Sequence, residues 1–125
     1  MSQVYLFQLA SQRTQWLSAR QSLIADNVAN ASTPGFQAKD LQPFSAVLDR
    51  AQVSMTTTSP GHVSPTPVDF NPAPSEESGA SDLTLSGNSV NLESEMIKLG
   101  DVNHQYSIAT GISRIFHQMM MSALK

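Results

Sequence analysis

Residues 3–30 read QVYLFQLASQRTQWLSARQSLIADNVAN, a run with neither glycine nor proline. Its apolar side chains recur at helical spacing: Phe7, Ala10, Leu17, Ile24, Val28 and Ala31 follow steps of three and four, with Thr14 and Gln21 in the two remaining places. The spacing predicts one long N-terminal helix within residues 1–31. Leu6, Leu9, Trp16 and Leu23 widen the stripe into an apolar arc of roughly 150 to 200°, more than one partner helix covers. Arg13 and Arg20 stand inside that arc. Their methylene stems can cover apolar surface while the charged heads reach water. Alternatively, the guanidinium groups pair across a subunit boundary with carboxylates such as Glu93, Glu95 or Asp101 and set a register.

A second long helix is expected over residues 91–125. Asn91 can cap its free amide groups, and Glu93 and Glu95 fall in the first turn, where the helix dipole favours negative charge. Leu92, Met96, Leu99, Val102, Tyr106 and Ala109 share one face. Further on, Ile108, Ile112, Ile115, Phe116, Met119 and Ala123 form a set more than a quarter turn away, so the helix is expected to change partners along its length. Gly100 and Gly111 lie inside this run, each at a cost of about 1 kcal/mol against alanine.

The intervening residues 32–90 differ from both ends. All seven prolines fall between Pro34 and Pro74, and no Lys or Arg occurs between Arg50 and Lys98. Ser54 to Ser81 is built largely from Ser, Thr, Pro, Gly and Ala, which lack the apolar mass to offset the entropy of ordering. A short helix is expected over residues 41–51, from Leu41, Phe44, Val47, Leu48 and Ala51, with Asp40 as cap and Pro43 in the first turn. A small hairpin can form from Thr56, Thr57 and Thr58 with Val63 and Val68, limited to edge strands by Pro65 and Pro67. The expected fold is all-α: long N- and C-terminal helices packed as an antiparallel coiled-coil-like pair, joined by an extended, mostly irregular middle segment. Both termini form one helical core domain.

The composition narrows the function. With seven basic and ten acidic residues the net charge is -3, so no field drawing nucleic acid is expected. The absence of cysteine removes disulfides, thiolate nucleophiles and thiolate metal sites. His62, His104 and His117 are dispersed without metal-ligand spacing, and the six glycines are isolated rather than gathered into a phosphate loop. No catalytic, metal or cofactor residue and no small-molecule substrate is expected. Met1 to Ala10 lacks a basic segment followed by an apolar stretch, so a chain leaving the cytoplasm is expected to use a route without a cleaved signal. Two helices around one seam rarely supply more than about 3–5 kcal/mol. The leftover arcs, Leu6, Leu9, Trp16 and Leu23 with Ile112, Ile115, Phe116 and Met119, then read as surfaces for self-association.

Between the first helix and the middle runs Asn27-Val28-Ala29-Asn30-Ala31-Ser32-Thr33-Pro34-Gly35-Phe36. Pro34-Gly35 supports a tight turn, residue 33 is pushed out of helix by the proline, and Phe36 anchors the chain beyond the turn. Asn27 and Asn30, one turn apart, can bond the last helix carbonyls or a neighbouring chain. The order of residues resembles the signature of the flagellar axial proteins, the rod, hook and hook-associated subunits, with Asn27, Ala29, Asn30, Thr33, Pro34, Gly35 and Phe36 at its matching places. Leu17, Ser18, Arg20, Gln21, Ile24 and Ala25 before it are also similar to that family's pattern.

Gly87-Asn88-Ser89-Val90-Asn91-Leu92-Glu93-Ser94-Glu95-Met96-Ile97-Lys98-Leu99, followed by Gln105-Tyr106, resembles the C-terminal block of the family's short proximal rod members, as does Pro60-Gly61-His62 in the middle. Ser86 and Asn91 stand where those members usually carry Asp. The resemblance implies a structural subunit that polymerises through its terminal helices into the proximal rod, the shaft that transmits motor torque. It implies export without a cleaved signal through the flagellar type III machinery. It also implies periplasmic assembly on a membrane-ring adaptor at the rod base, with copies of itself and with other proximal and distal rod subunits as partners. The helix-interface residues read from the two helices' own spacing are Phe7, Arg13, Trp16, Leu17, Arg20, Leu23, Ile24, Val28, Leu92, Met96, Leu99, Val102, Tyr106, Ile112, Phe116 and Met119. A helical adaptor that binds other flagellar components without forming the tube would use the same faces.

Overall fold

The computed structural model describes residues 2–52, 72–76 and 84–124. Helix α1 spans Ser2–Ala29 and helix α3 spans Leu92–Ala123. Between them lie strand β1 (Lys39–Leu41), helix α2 (Phe44–Gln52) and strand β2 (Pro74–Glu76). The two long helices pack against each other antiparallel. Residue numbers rise along α1 as they fall along α3, through Phe7 with Phe116, Arg13 with Gln105, Arg20 with Asp101 and Asn27 with Glu95. This is the expected pair of terminal helices around a less regular middle.

The core sits where α1, α3, β1 and α2 converge. Trp16, Leu17, Ile24, Leu41, Val47 and Val102 are buried together, with Ala19, Leu23, Phe44 and Leu99 packed on them. Leu17, Ile24 and Val102 are almost wholly excluded from water, worth about 1.5–3 kcal/mol each. β1 and β2 form a two-stranded antiparallel ladder, with Lys39 opposite Glu76, Asp40 opposite Ser75 and Leu41 opposite Pro74. The proline sits on an edge, where its missing N–H costs no ladder bond.

Several expectations are corrected. The short helix starts at Phe44 rather than Leu41: Pro43 precedes it, and the Pro43 carbonyl accepts from the amides of Ala46 and Val47 at 3.0 and 3.2 Å. Leu41 lies in β1 instead. Asp40 does not cap that helix, because its carboxylate turns to Arg20. Trp16 and Leu23 are not leftover surface. α2 covers Trp16, whose ring meets Phe44 edge-on at 6.1 Å and whose indole N–H donates to the Gln42 carbonyl at 2.9 Å. Leu92, Met96 and Tyr106 were expected on the same face as Val102, yet they are exposed. The seam on α3 is set instead by Glu95, Val102, Gln105 and Phe116, because the buried Glu95 turns the helix toward Asn27. That seam stays on α1 from Glu95 to Phe116, so α3 keeps one partner inside the chain. The candidate hairpin residues Thr56, Thr57, Thr58, Val63 and Val68 lie outside the described residues.

Candidate functional site

The two segments that carry the resemblance, 27–36 and 87–99, lie against each other at one end of the helix pair. Helix α1 ends with no basic residue in its last turn to bond the carbonyls of the turn that follows. Asn88, 2% exposed, takes that place: its amide nitrogen reaches the carbonyls of Asn30, Ala31 and Thr33 at 2.9, 3.0 and 2.7 Å. Its oxygen accepts from the Val90 amide at 2.7 Å. Around it the backbones interlock. The Gly35 amide donates to the Ser86 carbonyl at 2.9 Å, the Ser89 amide to the Phe36 carbonyl at 3.0 Å, and the Ala38 amide to the Ser89 hydroxyl at 2.8 Å. Gly35 and Gly87 both adopt positive φ, 73° and 76°, and a Cβ on Gly87 would lie 3.6 Å from the Gly35 Cα. Glycine at these two turns meets a backbone demand that other residues meet only with strain.

Asn27, fully buried, works like a peptide group. Its oxygen accepts from the Lys39 amide at 3.1 Å, and its nitrogen donates to the Lys39 carbonyl at 2.7 Å and to Glu95 Oε2 at 3.1 Å. Glu95, 1% exposed, is held from its other oxygen by the Lys98 ammonium at 3.0 Å. Lys98 lies 3.9 Å from Asp40, which accepts two hydrogen bonds from Arg20 at 3.0 and 2.9 Å. Arg20 also approaches Asp101 at 3.6 Å. The seam between the helices is therefore a charge-alternating network, and among the described residues no buried side-chain nitrogen or oxygen lacks a partner. Such networks are weak sources of net stability but demand one register.

Burial pushes the Asp40 carboxyl upward, but hydrogen bonds from Arg20 and the Leu41 amide, with the positive charges of Arg20 and Lys98, outweigh it and hold it below its ordinary value of 3.8. A depressed folded value means that the contribution is complete above the unfolded value, near 4, and is lost as pH falls through the folded one. The wild-type melting temperature is accordingly expected to drop on acidification from about pH 5 to pH 3. Asp40→Asn, already lacking that contribution, is expected to show a shallower drop. Parallel wild-type and variant curves, followed by circular dichroism, would remove Asp40 from this role.

The remaining interface residues named from the sequence are divided by the structure. Leu17, Trp16, Ile24 and Val102 lie in the core, and Leu23 and Leu99 pack on it. Phe7 meets Phe116 edge-on at 5.3 Å and remains 41% exposed. Val28, Ile112 and Met119 face outward with Leu92, Met96 and Tyr106. Arg20 finds its partners inside the chain. Arg13 bonds Gln105 and stacks over Trp16 and Phe44, with its guanidinium carbon 5.1 and 4.8 Å from the ring centroids. In the signature, Asn27 is buried and Phe36 half-buried. Asn30 is half-buried too and donates to the Asp26 carbonyl at 2.8 Å, whereas Ala29, Thr33, Pro34 and Gly35 are exposed. Asn88, Asp40 and Lys98 are missing from the interface residues expected from the sequence, because Arg20 stands 20 positions from Asp40, and Asn30 and Asp40 stand 58 positions from Asn88 and Lys98 respectively. Gly87-Asn88 before a helix start is a turn signal, and it was the one local clue.

The two antiparallel terminal helices are thus locked together by the segments that carry the axial resemblance. Residues 7–37 match the family described as flagella basal body rod protein. Across its whole length the chain is 40% identical to the flagellar basal body rod protein FlgB of Agrobacterium fabrum, covering 96% of that relative. It is 29% identical to FlgB of Salmonella typhimurium, over 85% of this chain and 83% of that one, and 30% identical to FlgB of Escherichia coli, over 72% and 71%. The chain belongs to the FlgB family of rod proteins.

Proposed function

We propose that this subunit polymerises with copies of itself and with other rod subunits into the proximal rod, and that the resulting shaft transmits motor torque. Its role is structural rather than catalytic. It reaches the periplasm through the flagellar type III apparatus without a cleaved signal and assembles on a membrane-ring adaptor. The observation that carries the polymerisation is the outer face of α3: Ile108, Ile112, Ile115 and Met119 follow one another at steps of four, three and four and are 48, 56, 57 and 57% exposed. An apolar stripe of this length on a small chain marks a surface that another helix covers. Among the described residues no helix is long and apolar enough to cross a membrane, so the stripe is not part of a spanning segment there.

The test is electron microscopy of the purified chain, alone and mixed with sister rod proteins, with sedimentation to follow size. Rings or tubes are the expected result. Strict one-to-one complexes would instead favour an adaptor that binds rod components without forming the shaft. A species that stays monomeric whatever is added would remove the polymerisation reading.

A further inference from the structure

The two arginines of α1 end in different circumstances. Arg20 is bound by Asp40 on two hydrogen bonds, whereas among the described residues no carboxylate lies within ion-pair distance of Arg13. Its guanidinium is held over the faces of Trp16 and Phe44 and bonded to the neutral amide of Gln105. A half-buried cation that is oriented but not neutralised favours an anionic partner. Arg13 also stands at one end of an apolar groove of about 360 Å³ between the N-terminal half of α1 and the C-terminal half of α3, lined by Leu6, Leu9, Ala10, Ile112 and Phe116 among others. From Arg13 to Leu6 is seven residues, about 10 Å or two helical turns. The groove thus offers a charge, then apolar floor at one and two turns' distance.

We propose that this groove receives an amphipathic helix of a neighbouring rod subunit, one that presents a single carboxylate to Arg13 and apolar side chains one and two turns further along. The assignment rests on the rod-subunit function proposed above and adds the chemistry of the neighbour. The fixed planar guanidinium gives the contact a register, because a shift of the incoming helix by one residue carries its carboxylate about 100° around the axis and away from Arg13. Hydrophobic contact with Leu6, Ile112 and Phe116 alone would not discriminate in this way.

Trp16, the sole tryptophan of the chain, lies beneath Arg13 and serves as the reporter. The probes are two synthetic helix-stabilised peptides with leucines on two successive turns, identical except that one carries Glu and the other Gln one turn beyond. Titrated into the full chain, the Glu peptide is expected to change Trp16 fluorescence saturably and to bind about tenfold more tightly than its Gln twin, the worth of one charge-assisted hydrogen bond over a neutral one. Arg13→Gln, with its helix content checked by circular dichroism, is expected to lose the preference. Arg13→Lys, which keeps the charge but not the fork, is expected to retain a smaller preference of the same sign and covers the case in which Arg13→Gln unfolds. Equal binding of the two peptides, no binding of either, or a preference that survives Arg13→Gln would overturn the assignment. Tubes formed by a chain that does not distinguish the peptides would remove the groove's role and leave the rod function standing.

Discussion

Asn88→Asp is expected to destabilise the chain by about 2–4 kcal/mol, although the two side chains have nearly the same shape. The amide of Asn88 donates toward three backbone carbonyls in the turn that follows α1; those of Asn30 and Thr33 also accept from the amides of Thr33 and Phe36, and Asn88 ties the three together. Aspartate replaces that donor with a second acceptor, so its charge faces carbonyl oxygens in a site that is 2% exposed. Asn88→Ala removes the donor without adding charge and is expected to cost somewhat less, leaving the Val90 amide unpaired as well. A chain held by a core of this size carries only about 3–5 kcal/mol in all, so either change brings it near the unfolding threshold. Urea denaturation gives the loss, and amide hydrogen exchange locates it. Protection should fall first at Asn30, Ala31 and Thr33 and at the last turn of α1. Should Asn88→Asp melt like the wild type, the joint between the two signature segments does not depend on this side chain.

Asn27→Ala is expected to cost about 3 kcal/mol, by stranding the amide and carbonyl of Lys39 and by removing one of the two groups that hold the buried Glu95 carboxylate. Glu95→Ala alone should cost less, because Lys98 keeps Asp40 at 3.9 Å and is partly solvated. The two changes should not add. Once Asn27 is gone, part of the Glu95 contribution has already been lost, and a double-mutant cycle is expected to return a coupling of about 1 kcal/mol. Purely additive losses would mean that the 3.1 Å contact between them contributes nothing measurable.

Both variants touch residues that the sequence presents in different lights. Asn27 and the Thr33-Pro34-Gly35 turn are legible as a helix stop, because proline and glycine impose backbone conditions that hold wherever the chain goes. The long helices are legible for a similar reason: an apolar period sustained over some thirty residues has few other solutions. The faces were harder. Leu92, Met96 and Tyr106 share a side with Val102 on a helical wheel, yet the wheel does not say which edge of an apolar arc meets the partner. That edge was chosen by Glu95, a residue whose sequence context, in the first turn of a helix, points to solvent and the helix dipole. Trp16 read as surplus surface because the covering element, α2, is short and its own placement depends on β1 pairing with a strand some 35 positions away.

What residue order alone determined is the local part: two long helices, a stop between the first helix and the middle, and a chain whose terminal segments resemble the axial family. Backbone preference and helical periodicity act over a few residues and need no partner to be read. What only the tertiary structure decided is which polar groups pair with one another, namely Asn88 with the turn after α1, Asn27 with Glu95, and Arg20 with Asp40, with Arg13 left facing its groove. Those choices rest on distances between residues far apart in sequence, and in a weakly dielectric seam a difference of a few ångströms separates a bonded charge from an unmatched one.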